Sequence, residues 1–193
     1  MVWPNTDSAW TFDGVVYNWD DTVGFLLNHY FGYDLPVSTH WDQIQQSVKP
    51  EHWEWLWDEG VKKGMFRYGH LYKGSAEALR ELAEMVDIVV ITHRPANAVQ
   101  DTLEWLAYNR VPATEVHILT KEQPKWEIAC DLYLDDAPHN IKGFLEHRPL
   151  ALSMLWARPW NVDYQRVAPV VVRDWSEVIK LTRAFVAANG QES

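Results

Sequence analysis

Val86-Asp87-Ile88-Val89-Val90-Ile91-Thr92 is the stretch on which the fold turns. Its four consecutive apolar β-branched residues, Ile88 to Ile91, lack the alternation of a half-buried strand and fit a strand covered on both faces. Working outward, Ser75 to Met85 carries an apolar helix face of Ala78, Leu79, Leu82 and Met85, with Ser75 placed to cap it. A second helix is expected from about Pro95 to Asn109, with Pro95 in its first turn. Strand patterns recur near residues 115–120, 131–134, 150–155 and 168–172. Helices are expected from Pro138 to Glu146 and from Asp174 to Ala188. Residues 8–17 read as a first strand broken at Asp13-Gly14. Strands alternating with helices imply an α/β fold, a Rossmann-like parallel sheet with helices on both faces.

Residues 18–70 break this rhythm. They hold three helix signals: Thr22 to Phe31, a helix beginning at Thr39 with Asp42 answering from the third position, and Pro50 to Lys63 with Gly64 as the stop. The expected organisation is a core of residues 1–17 and 71–193 with a helical cap, 18–70, inserted after the first strand.

A chain of 193 residues with 47% hydrophobic and 23% charged residues suits one soluble domain with a modest insertion. The formal net charge of -10 argues against a nucleic-acid polymer as partner, because phosphate backbones need a basic footprint. No segment resembles a signal peptide or reaches membrane-spanning length, so cytoplasmic location without membrane contact is the expectation. The single Cys130 cannot form an intrachain disulfide. A homodimer is compatible with the sequence, which does not decide it.

Four polar signals stand where strand-like runs end, and in an open parallel sheet those ends share one ligand-binding crevice. They are Thr11-Phe12-Asp13-Gly14, Thr92, Lys125 and Asp135-Asp136. Thr11 and Asp13, two apart on a strand, share a face, and Gly14 permits a sharp turn after them. Two adjacent carboxylates repel unless a cation offsets them, and hard oxygen donors suit Mg²⁺ with phosphate oxygens. Each motif alone has a plainer structural reading; their order and placement favour a phosphate site. His93 and Arg94 could reach a bound phosphate, although capping or exposure explains them equally well.

The set resembles the haloacid dehalogenase (HAD) superfamily of phosphohydrolases, and within it the 5'(3')-deoxyribonucleotidase branch. Thr11-Phe12-Asp13-Gly14-Val15 is similar to the family's opening Asp-x-Asp-Gly-Val. Thr92, Lys125 and Asp135-Asp136 match its later motifs, and the helical insertion falls where the family carries its cap. The resemblance implies a Mg²⁺-dependent 5'-nucleotidase acting on a (deoxy)nucleoside monophosphate or a similar small phosphate ester. By the same resemblance, Asp13 is the acid/base, Thr92 and Lys125 hold phosphoryl oxygens, and Asp13, Asp135 and Asp136 hold the metal. A small phosphorylated metabolite, a nucleotide above all, is the implied partner.

Thr11 departs from that pattern, standing where the family's nucleophilic aspartate stands. Gly14 follows three residues later, as in the family, so no shift of register moves Asp13 into that place. An alkanol is a far weaker nucleophile than a carboxylate unless a base activates it, and Asp13 is the only obvious base. Two readings stay open: a hydrolase that uses Thr11 or a metal-associated water, and a catalytically silent nucleotide or phosphate binder.

Five of the twelve tryptophans lie in the insertion. Trp53 and Trp57, four apart, share a helix face with Leu56 and Gly60, whereas Trp55 points away. They read either as the core of the cap or as a stacking wall for a nucleobase, to which Phe66 and Tyr68 could contribute. Trp160 and Asn161 are further candidates to line the crevice.

Overall fold

The computed structural model describes residues 6–11, 13–36 and 41–189, with the side chains of Asp7, Ala9, Trp10, Thr11 and Trp41 outside the described part. Six parallel strands form one sheet: β1 (Asp7–Thr11), β2 (Asp87–His93), β3 (Ala113–Leu119), β4 (Leu132–Asp135), β5 (Leu152–Trp156) and β6 (Val171–Val172). Their spatial order is β3-β2-β1-β4-β5-β6. β1 therefore lies at the centre, with Thr11 opposite Ile91 and Trp10 opposite both Val90 and Leu134.

The unbroken apolar run of β2 is buried on both faces, as expected. Ile88 and Val90 join Leu132, Leu134 and Met154 in the larger core, which also takes residues of the insertion, α4 (Ser75–Leu82), α5 (Val99–Tyr108) and α7 (Trp175–Asn189). Val89 and Ile91 face the other way, with Tyr133 and Leu155, and meet Ile141 and Phe144 of α6 (Pro138–His147). This period of two carries through to the strand ends and sorts the polar residues there onto opposite faces.

Between β1 and α4 the chain is helical: α1 (Trp19–Phe31), α2 (Trp41–Ser47) and α3 (Pro50–Trp55), which continues into a wider π turn at Leu56–Gly60. Asn18 caps α1 by accepting from the Asp21 amide, so this helix starts earlier than the expected Thr22. The expected cap at Thr39 lies outside the described residues. Gly64, at φ +85°, ends the third helical stretch where a side chain would be strained. The segment leaves and returns through a short clasp, in which Tyr17 pairs with Leu71 and the Tyr72 amide donates to the Val16 carbonyl. No described helix is long and apolar enough to cross a membrane.

Candidate active site

Thr92 and Asp13 meet across the ends of β2 and β1, where the Thr92 hydroxyl donates to Asp13 Oδ2 at 2.7 Å. Thr92 continues the Ile88–Val90 face of its strand, so it is buried on the side of the larger core. Arg94 comes from that side too. Its Nη2 lies 2.6 Å from Asp13 Oδ1, its Nε donates to Oδ2 at 3.4 Å, and its Nη1 donates to Thr102 Oγ1 at 3.1 Å.

The Arg94 guanidinium lies 4.5 Å from the Phe66 ring centre and 4.8 Å from that of Tyr17. Tyr17 is held in turn by its hydroxyl, which donates to the Met65 carbonyl. Burial, the largest influence, pushes the Tyr17 hydroxyl up to about 12, with Asp13 and Asp101 adding to it against Thr22 and Arg94. Two expectations change here. Arg94 is not an open substrate-binding residue, because its buried fork is engaged by Asp13 and Thr102. Phe66, equally buried, forms the floor beneath Arg94 rather than a wall for a base.

The second cluster lies on the opposite face. Asp135 shares the parity of Tyr133 and so points towards α6, where Lys125 Nζ reaches its Oδ2 at 3.0 Å. Asn140 Nδ2 donates to the same oxygen at 2.9 Å, and the Ala137 amide donates to Oδ1 at 2.7 Å. Asp135 is fully buried and Lys125 nearly so. Both oxygens of Asp135, expected as a metal ligand, thus accept from protein donors. Asn140, in the first turn of α6, belongs to this cluster.

Asp136 points to the other side, against Gly14. A Cβ added at Gly14 would collide with its carboxylate, and Gly14 also has φ +78°. Only glycine fits that turn. Asp136 Oδ2 accepts from Trp160 Nε1 at 3.0 Å, while its backbone carbonyl accepts from Asn161 Nδ2 at 2.7 Å. No lysine or arginine of the described residues pairs with it. Burial first, and the charge of Asp135 second, push its carboxyl up to about 7 against the pull of Lys125, Arg158 and Trp160.

His93 faces the α6 side, and its Nε2 lies 2.7 Å from the Gln123 carbonyl. A carbonyl can only accept, so Nε2 carries the proton. Burial lowers its basicity, with Lys125 acting in the same direction and the Gln123 bond opposing. It ties down the stretch before Lys125, and the expected substrate contact of His93 has no support in this arrangement.

In the insertion, Trp57 stacks on Trp19 at 6.3 Å and 24°, and Trp53 meets both edge-on. Trp57 remains 36% exposed, whereas Trp19 is buried behind it. Asn97, just beyond β2, donates to the Trp57 carbonyl at 3.4 Å, which places this aromatic group beside the loop after Thr92. Trp55 turns instead to Tyr30 and Phe31, as the spacing predicts.

Thr11 ends β1 next to these groups in the backbone, but its side chain lies outside the described part. Among the described residues no three His, Cys, Asp or Glu side chains converge as a metal-binding group. The carboxylates expected to hold a divalent cation, Asp13, Asp135 and Asp136, all stand at these strand ends, and Asp136 has no ionic partner among the described residues. One carboxylate with phosphate oxygens and water lies within the habits of Mg²⁺, so the residues present fit that ion.

The family described as 5' nucleotidase, deoxy (pyrimidine), cytosolic type C matches residues 10–189 of the chain. The protein belongs to this family. Among curated proteins none matches it by sequence. Its fold is that of a haloacid dehalogenase-like family hydrolase from Streptococcus pneumoniae, with a TM-score of 0.63 at 10% identity over 92% of this chain and 98% of that one. A HAD family hydrolase from Deinococcus radiodurans, solved with bound phosphate and sodium, matches at 0.59 and 14% identity over 96% and 98%. The L-2-haloacid dehalogenase from Xanthobacter autotrophicus matches at 0.59 and 12% over 93% and 99%. The nucleotidase family member thus carries a HAD-like hydrolase fold, and the expected fold class stands.

Proposed function

We propose that this nucleotidase-family protein is a 5'-nucleotidase-like phosphohydrolase whose ligand is a (deoxy)nucleoside monophosphate or a similar small phosphate ester. The observation that carries this reading is the placement of two pairs, Asp13–Thr92 and Lys125–Asp135, at the ends of the adjacent strands β2, β1 and β4, with Asp136 against Gly14. Residues 18–70 act as a cap over the crevice, and the face of Trp57 receives the base. Lys125, anchored by Asp135, and Thr92, anchored by Asp13, orient phosphoryl oxygens. Asp136 holds Mg²⁺, which when bound offsets the charge of the phosphoryl group.

The clamp on Asp13 supports a second reading, a nucleotide binder without turnover. Both Asp13 oxygens accept hydrogen bonds from buried donors. To protonate a leaving alkoxide, Asp13 must exchange one of those bonds for a proton. Thr11, in the position of the family's nucleophile, offers no carboxylate for an aspartyl-phosphate route.

Phosphate release from a panel of deoxynucleoside monophosphates with Mg²⁺, alongside calorimetric binding of the same compounds, separates the two. Multiple turnovers support the hydrolase; tight binding without release supports the silent binder. Neither binding nor release would remove both.

A further inference from the structure

Among the described residues, Arg94, Lys125 and Arg158 lie at the strand ends, and two of them are already ion-paired: Arg94 with Asp13 and Lys125 with Asp135. The third, Arg158, follows β5 and has no carboxylate partner among the described residues. Its mounting is rigid. The Arg158 amide donates to Asn161 Oδ1 at 2.9 Å, and its carbonyl accepts from Gln165 Nε2 at 3.0 Å. Its Nε donates to the Gly14 carbonyl at 2.7 Å, in the turn that links Asp13 to the Asp136 carboxylate. The guanidinium carbon lies 3.9 Å from the ring centre of Tyr72, 5.4 Å from Trp156 and 5.9 Å from Trp160. One terminal nitrogen, Nη2, is screened from solvent and has no hydrogen-bond partner.

A buried donor on a charged group, left unpaired, is strongly unfavourable, and natural structures rarely keep one without a use. Arginine cannot escape by losing its proton. Three aromatic rings crowd the guanidinium, and the edge of the fork is the approach a planar guanidinium offers to an oxyanion. The Tyr72 hydroxyl, Asp136 and Asp20 stand close enough to act on this charge, yet none of them forms an ion pair or hydrogen bond with it among the described contacts.

We propose that Arg158 is an oxyanion-binding residue of this site, its Nη2 taking an oxygen of the bound phosphate ester on the Asp136 side of the crevice. This deepens the phosphate-ester reading above and rests on it. Arg158 directs the ligand's charge towards β5, while Lys125 anchors the β4 side from the opposite face of the sheet.

The test uses inorganic phosphate as the probe, in a phosphate-free buffer with Mg²⁺. Calorimetry on the full chain should give an affinity at least about tenfold weaker for Arg158→Gln than for the parent, the loss of one charge-assisted contact. Arg158→Lys, which keeps the charge but not the fork, should fall between them. In ¹⁵N-arginine spectra of the parent, phosphate should shift the Arg158 side-chain resonances. Parent binding that Arg158→Gln leaves within twofold would overturn the Arg158 assignment alone. So would weakened binding without any shift of the Arg158 resonances, because the residue would then act only by holding the Gly14 turn. A parent that binds neither phosphate nor any nucleoside monophosphate overturns this proposal together with the reading beneath it.

Discussion

Arg94 and Asp13 form an ion pair in which only one partner reaches the solvent. The arginine side chain is fully buried, the aspartate is 27% exposed, and 2.6 Å separates Nη2 from Oδ1. The fork cannot swing out to meet a ligand, while the carboxylate keeps one side towards the crevice. The pair therefore sets the orientation of Asp13, and Thr92 completes the setting.

Removing Arg94 should be costly to the fold. Arg94→Ala leaves Asp13 and Thr102 without their partner and opens a gap between Tyr17 and Phe66. A loss of about 3–5 kcal/mol is expected for a broken buried pair, read from urea unfolding at neutral pH. A change below about 1 kcal/mol would place the pair among exposed ion pairs instead.

Thr11→Asp should supply the missing carboxylate. With Mg²⁺ present, phosphate release from deoxynucleoside monophosphates should rise by orders of magnitude over the parent, because a covalent route opens. A folded, nucleotide-binding Thr11→Asp variant that stays inert on every ester tried would mean that Thr11 does not stand in for the nucleophile. Parent turnover that survives Thr11→Ala would remove the hydroxyl from the chemistry.

Asp20, half-buried at the start of α1, should make stability depend on pH. Burial, helped by Asp21 and Asp13, pushes its carboxyl up to about 7 against Arg158 and the Tyr72 hydroxyl. The folded chain thus keeps this proton when the unfolded chain has lost it. Stability from this group is present below 3.8, falls as pH rises, and is gone above about 7. Asp20→Asn should raise Tm over the parent at pH 8 and converge with it towards pH 4. A pH-independent offset between the two melting curves would contradict the burial of this carboxyl.

Trp57 should matter for nucleotides and not for phosphate. Its exposed face, backed by Trp19, suits a base, and stacking contributes about 1–3 kcal/mol per base. Trp57→Ala should weaken deoxynucleoside monophosphate binding by that amount and leave inorganic phosphate unchanged. Equal losses for both ligands would point to a packing role in the insertion.

Element order and burial were legible because they follow from local pattern. The Ile88 to Ile91 run predicts a two-face strand, and β2 covers Asp87–His93. The helix expected from Pro95 begins instead as a tight 3₁₀ turn at Ala96–Ala98 and becomes α-helical at Val99. The third helix of the insertion, expected from Pro50 to Lys63, widens at Leu56–Gly60. Period and propensity do not report such local changes of winding, which depend on what the turn packs against.

By itself the sequence determined that Asp13, Thr92, Lys125 and the acidic pair stand at strand ends. That is a consequence of chain order and of where the strand-like runs end. Only the tertiary structure decided which charge meets which. Arg94 lies 81 residues from Asp13, and Arg158 lies 144 residues from Gly14. A guanidinium pairs with whichever acceptor comes within about 3 Å of it, and at such separations that distance exists only once β1 has settled between β2 and β4. The same assembly buried Arg94 and Phe66 behind Asp13 and left Arg158 without an ionic partner among the described residues, a result no local spacing contains.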